Sequence, residues 1–271
     1  ISACLVGSEM CIRDRGQGAT TGSLVVTLEA LKEMHLTPED IQLIQNDTKT
    51  CPDTGMAGAS RSLYMDGNAT IIAANKLLAA MRKEDGTLRT YDEMKAEGIE
   101  TKYLGRYETN TTPGLCRLDP NTGIGDPTPA FTYCLNLAEV EVDTKTGKTT
   151  VLKFTCVDFV GRIGNIDAVN GQAYSGIMHG IGFALKEDYA DVKKHANMFG
   201  AGTSYIKDVP DDINLIHIDG AISDGPFGSS GASEAFQASG HCAVLNGIYN
   251  ACGVRIHEIP ALPEKVKAGL D

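Results

Sequence analysis

The sequence predicts an α+β fold in two lobes, each a mixed sheet with helices packed on its face. Three observations carry this prediction. Helical and strand periodicities alternate along the chain, one segment has the pattern of a β-hairpin, and a polar stretch followed by a Gly- and Pro-dense stretch separates two halves. With 42% apolar and 22% charged residues over 271 positions, the chain can bury one or two cores and lacks the composition of a disordered protein.

Residues 20–36 carry apolar side chains at Leu24, Leu28 and Leu31, with Val25 and Met34 beside them, which is a helical stripe that Pro38 should stop. The segment IQLIQND (41–47) predicts a short strand entering a polar turn, and the region of Pro52, Gly55 and Gly58 predicts a loop. A second helix, rich in Ala and Leu, is expected over 68–83. Residues 84–112 are polar and charged and 113–129 are dense in Gly and Pro, so the lobes are expected at about 16–112 and 130–271. Alternating stretches at 135–143 and 149–158 flank a turn at Thr146 and Gly147, the signature of a hairpin. A long helix is expected over 167–194. Its Gly176, Gly180 and Gly182 each cost helix propensity relative to Ala, so they predict close backbone contact with a neighbour or ligand. A strand over 213–222, a Gly-rich loop and a helix over 235–252 complete the reading, without an internal repeat.

The opening fifteen residues, ISACLVGSEMCIRDR, have no clean periodicity. The string SEMCIRDR resembles the translated read-through of a sequencing adapter, so 1–15 is expected to be a non-native leader with the native sequence starting at Gly16.

Charge and composition exclude several function classes. A net charge of −11 opposes backbone-driven binding of nucleic acid, which needs clustered Lys and Arg. No apolar run approaches the roughly 20 residues needed to cross a bilayer, and a cytoplasmic location is expected. The eight cysteines are scattered without a CxxC pair, which predicts free thiols and offers no zinc or iron–sulfur ligand set. There is no GxSxG elbow, HExxH pair or GxxxxGK loop, and the six histidines are too dispersed to form a ligand set by spacing. Glu187 with Asp188, and Asp211 with Asp212, read as solvated acids, and His179 as a packed or capping residue.

Three small-residue loops remain as candidate sites. GQGATTGS (16–23) leads into a helix, where exposed amides and the helix dipole suit an anion, although the spacing alone favours an ordinary turn. TGMAGASRS (54–62) can bring backbone amides and Arg61 to an anionic ligand, or can be a helix cap with a solvated Arg. DGPFGSSGASEAFQASGH (224–241) surrounds one carboxylate, Glu234, with glycines and serines just before an apolar helix. That carboxylate is either a helix-start charge or a general base held where small neighbours leave room for substrate.

Taken in order, these segments resemble one family. GQGATTGSLVVTLEAL, NDTKTCPDTGMAGASRS with its following GNA, VGRIGNIDAVNGQAYSGIMHGIGFAL, and GASEAFQASGHCAVLNGIYNACGVRIHEIPALPEKVKAGL are similar to the C-terminal half of the molybdopterin-binding region of the xanthine oxidase family. The resemblance implies a second half of a molybdenum cofactor-binding region, with exposed apolar surface marking the missing half. It implies a molybdenum-molybdopterin cofactor, in bacterial relatives a cytosine dinucleotide form, whose metal is held by the pterin dithiolene and by no protein side chain. Gly16, Gln17 and Gly18 would then approach the metal's oxo side or the pterin. Gly58, Ala59 and Ser60 would line the metal through their backbone, with Arg61 and Ser62 near the cofactor, Gln172 as a further pterin or nucleotide contact, and Ser233, beside the catalytic position, as another cofactor-binding residue. Glu234 falls on the family's catalytic glutamate, the general base of a hydroxylation that takes its oxygen from water. Ser233 before it and Ala235 after it look closer to the bacterial aldehyde oxidoreductases than to the purine-oxidising members. The resemblance therefore implies oxidation of a small aldehyde to a carboxylate, with a purine or another N-heterocycle as the alternative substrate. It also implies [2Fe–2S] clusters in missing portions or a partner iron–sulfur subunit, and it is compatible with a homodimer. Two other readings stay open: a non-catalytic fragment, and an independent anion-binding α/β domain.

Overall fold

A computed structural model describes residues 17–44, 49, 51, 58–108, 119, 121–125 and 130–271, so the proposed leader and Gly16 lie outside the described residues. The chain divides into two compact units. The first takes the described residues up to Phe131 together with Gly161–Ile166 and Gly220–Gly231; the second takes Thr132–Val160, Asp167–Asp219 and Ala232–Asp271.

The first unit is helical. Helix α1 (Ala19–Ala30) ends earlier than its stripe suggests: a 3₁₀ turn over Lys32–Met34 follows, and His35 is left-handed at φ 52°. Pro38 does not stop a helix but opens a second 3₁₀ turn, in which Thr37 N–H donates to Asp40 Oδ2 at 2.8 Å. The expected strand at 41–47 is absent over 41–44, and 45–47 lie outside the described residues. Helix α2 (Ser62–Met81) starts six residues before the expected position. Its first turns contain Asp66 and Gly67, which read locally as loop, yet Tyr64, Asp66 and Gly67 are all buried, so tertiary packing overrides local propensity there. The charged excursion holds a short helix, α3 (Tyr91–Ala96), which sequence periodicity did not reveal. Its start is a capping box: Glu93 accepts from Thr90 N–H at 2.7 Å and from Lys83 Nζ at 2.7 Å, while Glu93 N–H donates to Thr90 Oγ1. This delivers Met94 to a core of Leu31, Ala74, Leu77, Leu78 and Met81.

The second unit contains the sheet. Strands β1 (Tyr133–Val142) and β2 (Thr149–Phe159) form the expected antiparallel hairpin, with a register shift between Glu139 and Val140. Strand β3 (Asp212–His217) is shorter than predicted and pairs parallel to β2, which makes the sheet mixed in the order β1-β2-β3. Among the described residues of the first unit, β-structure is limited to the isolated bridges Arg82–Leu88 and Gly161–Ser229. Even-numbered positions of β1 face the helices, and the opposite face exposes Tyr133, Leu135, Leu137 and Ile216.

Helix α4 (Ile166–Leu185) stops nine residues before Lys194, because Lys186 and Glu187 N–H both turn back to the Gly182 carbonyl at 2.9 Å. Glu187 is consequently buried, not solvated, and accepts from the Tyr189 hydroxyl at 2.9 Å. The expected helix over 235–252 is two helices, α5 (Ser233–Ala238) and α6 (Gly240–Cys252), joined at Ser239. A further helix, α7 (Pro263–Leu270), carries Val266 into a core with Ile248, Val254 and Ala261. No helix among the described residues is long and apolar enough to cross a membrane.

Two predictions follow from this packing. The Lys83 ammonium and the Thr90 amide hold the Glu93 carboxyl down from 4.5 to about 2. A depressed carboxylate stabilises the fold above its unfolded value and loses that contribution as pH falls from about 4.5 towards 2. Glu93→Gln should therefore flatten the fall of melting temperature across that acid window, and identical profiles for the two proteins would contradict the assignment. At Gly176 a Cβ would come within 2.5 Å of the Phe236 Cβ. Gly176→Ala should thus lower stability in urea unfolding by about 1–3 kcal/mol, despite the better helix propensity of Ala; an unchanged or higher midpoint would contradict the close approach.

Candidate functional site

In the first unit, the chain enters α1 through Gln17 and Gly18. Gly18 is left-handed at φ 81°, a conformation that suits glycine, and the Gln17 side-chain carbonyl accepts from Ala19 N–H at 2.7 Å. With its carbonyl committed to the helix start, the exposed Gln17 amide has its NH₂ donors to offer a ligand. The 58–62 loop enters α2 in the same unit. Ala59 and Ser60 are left-handed in succession, at φ 52° and 53°, and Arg61 N–H donates to the Gly58 carbonyl at 3.1 Å. Non-glycine residues in this region cost roughly 1–3 kcal/mol each and persist where their surroundings hold them. Part of that hold comes from Gly231, where a Cβ would lie 2.7 Å from the Ser60 Cβ. The 220–231 loop also accepts a hydrogen bond from the Asn68 amide at the Asp224 carbonyl, 2.9 Å away. Arg61 is exposed, and Ser62 is the first residue of α2.

In the second unit, Ser233 and Glu234 form the start of α5, with Glu234 exposed and Ser233 half-buried. Two contacts hold that short helix. Phe236 is fully buried against α4, and Asn136 of β1 donates from Nδ2 to Ser239 Oγ at 3.0 Å and to the Phe236 carbonyl at 3.4 Å. The Asn136 contacts meet the chain where α5 breaks into α6, which explains the split helix. Gln172 lies half-buried near the start of α4. His179 is exposed on the same helix, beside Phe183.

Sequence reasoning missed a buried polar group in this unit. His217 of β3 has Nδ1 2.6 Å from Asp158 Oδ2 and Nε2 2.7 Å from Asn170 Oδ1. Asp158 is 1% exposed, and burial pushes its carboxyl above the usual carboxylate range against the opposing pull of His217. The available signal was polar residues at inward positions of otherwise apolar strands: Asn136, Asp158 and His217 all share the helix-facing parity. Among the described residues no group of three His, Cys, Asp or Glu side chains is arranged to hold a metal, and Cys134, Cys156, Cys242 and Cys252 are free thiols. The candidate residues thus fall in both units: Gln17, Gly18 and 58–62 in the first, Gln172, Ser233 and Glu234 in the second. Gly16 lies outside the described residues.

Comparison with known proteins matches the chain to a family. Residues 8–210 fit the profile of the molybdopterin cofactor-binding domain. The sequence is 42% identical over 257 residues to the aldehyde oxidoreductase of Megalodesulfovibrio gigas, covering 95% of this chain and 28% of that protein. It is 29% identical over 273 residues to the probable hypoxanthine oxidase XdhD of Escherichia coli K12, again covering 95% and 28%. The crystal structure of the aldehyde oxidoreductase from Desulfovibrio desulfuricans superposes with a TM-score of 0.88 at 44% identity, over 94% of this chain and 28% of that one. The chain therefore spans about 28% of the length of these relatives. It belongs to the molybdopterin cofactor-binding domain family.

Proposed function

We propose that this chain is the C-terminal part of the molybdopterin-binding region of an aldehyde oxidoreductase that converts a small aldehyde to its carboxylic acid, with water as the oxygen source and Glu234 as general base. The observation that carries the substrate class is the 42% identity to an aldehyde oxidoreductase against 29% to a probable hypoxanthine oxidase, over nearly the same span.

The residues fit a molybdenum-pterin group. Such a group is anionic and oxygen-rich, and its metal is held by the pterin's own sulfurs. The chain answers with amide donors at Gln17 and Gln172, a guanidinium at Arg61, and small residues at 58–60 whose strained backbone is packed against Gly231. When bound, the group would supply the two-electron oxidant and the oxygen that water replaces.

Glu234 would remove the proton of the attacking oxygen nucleophile. Its exposure at the start of α5 leaves the carboxylate reachable, and the Phe236 and Asn136 contacts behind it fix the helix that presents it. Ser233 and Ala235 are small flanks that leave room for a substrate. The cytosine dinucleotide form of the pterin, [2Fe–2S] clusters in another domain or subunit, and a homodimer belong to the same proposal.

The test is made on the full-length enzyme with its cofactor. Wild type should contain molybdenum and pterin and reduce a dye with aldehyde as electron donor. Glu234→Gln should lose about 10²–10⁴-fold in kcat with unchanged molybdenum content. A fully active Glu234→Gln enzyme would remove Glu234 from the mechanism, whereas a purine preferred over every aldehyde would overturn the substrate class.

A further inference from the structure

We infer that His217 is a positioning residue for cofactor binding: by bridging Asp158 of β2 and Asn170 of α4 it pins the first turns of α4 to the sheet and so fixes Gln172.

The geometry assigns the imidazole to this link. Asp158 and His217 are direct register partners in the parallel pair, and the strands are already joined there by backbone bonding, with Ile218 N–H donating to the Asp158 carbonyl at 2.8 Å. The side-chain pair is therefore not needed to set the register. What the imidazole adds is its second nitrogen, 2.7 Å from Asn170 Oδ1, two residues before Gln172.

Stability alone is a poor reason for such a group. A buried ionisable pair repays its desolvation only when every polar atom is satisfied, and an apolar replacement is often neutral or better. Here Asp158 is 1% exposed and its Oδ1 has no hydrogen-bond partner. The two ends of α4 are held by different means. Further along the helix, Gly176 and Gly180 lie against Phe236 and Gly240, where added Cβ atoms would fall 2.5 and 2.9 Å from the neighbouring atoms. Near the start, Ile166, Asp167 and Gly171 are exposed and Asn170 is tied to His217, while the buried face of the helix begins at Ala173, the residue after Gln172. Releasing the tie should loosen the end that carries Gln172 and leave the α4–α5 contact behind Glu234 in place.

The inference rests on Gln172 as a cofactor contact, and the experiment separates the two. Asn170→Ala, Asn170→Asp and Gln172→Ala are made in the full-length enzyme, and molybdenum and pterin per folded chain, melting temperature and kcat per bound molybdenum are measured. Asn170→Ala keeps the Asp158–His217 pair and improves helix propensity, so it should fold. It should lower cofactor content by about tenfold, the scale on which an outer partner affects a bound metal group, with kcat per bound molybdenum within about twofold of wild type. Asn170→Asp restores an acceptor for the imidazole and should recover the content. Wild-type content in Asn170→Ala, with Gln172→Ala depleted, overturns the positioning role. A lower melting temperature with content per folded chain unchanged makes the tie purely structural and overturns it equally. Unchanged content in Gln172→Ala instead overturns the reading of Gln172 itself.

Discussion

The approach of α4 to α5 and α6 is the contact on which the second unit depends. Gly176 and Gly180 lie one helical turn apart on the same face, and they let Phe236 and Gly240 come closer than any side chain would permit. Phe236 is fully buried as a result, and the helix that carries Glu234 is anchored by a residue only two positions further on. A six-residue helix has little intrinsic stability in water, so its position comes from this packing and from the Asn136 hydrogen bonds. The glycines that weaken α4 as an isolated helix are what allow it to act as a seat.

Polar residues within the sheet serve the same end by other means. Asn136, Asp158 and His217 occupy inward positions that an apolar residue would fill more cheaply. Each of the three has a distant partner: Asn136 reaches the α5–α6 junction, and His217 joins Asp158 to α4. Directional bonds to specific atoms fix an element in register and angle more sharply than non-directional apolar burial, and both recipients are elements that carry candidate site residues.

The fold was legible in the sequence where structure is local. The β1–β2 hairpin follows from alternation around a short turn, and the glycine spacing in α4 correctly signalled a close neighbour. Boundaries failed where long-range contacts decide. The first turns of α2 look like loop because Asp66 and Gly67 are poor helix formers, yet both are buried by the tertiary fold. The split at Ser239 depends on Asn136, about a hundred positions earlier in the chain. Burial of Glu187 depends on the chain folding back after Gly182, which no periodicity encodes. At the candidate site, local chemistry leaves Glu234 undecided between a helix-start charge and a base, and the proposal of a base rests on the resemblance carried by the ordered set of four motifs. The left-handed pair Ala59–Ser60 was invisible because neither residue is a glycine, and its conformation is tied to packing against Gly231, far away in sequence.

A common constraint underlies the candidate residues that lie in separate stretches of sequence. Gln17 and Gly18 precede α1, 58–62 lead into α2, Gln172 lies in the early turns of α4, and Ser233 and Glu234 open α5. All of these positions except Gln172, the seventh residue of α4, are at a helix start. The first turn of a helix has N–H groups without intrahelical partners and the positive end of the peptide dipole, so it serves an oxygen-rich anionic group without needing many cationic side chains. That accounts for how a chain with a net charge of −11 can carry a binding region for an anion while retaining an acidic surface elsewhere. Under the proposed function Glu234 is the exception, a carboxylate presented by a helix start.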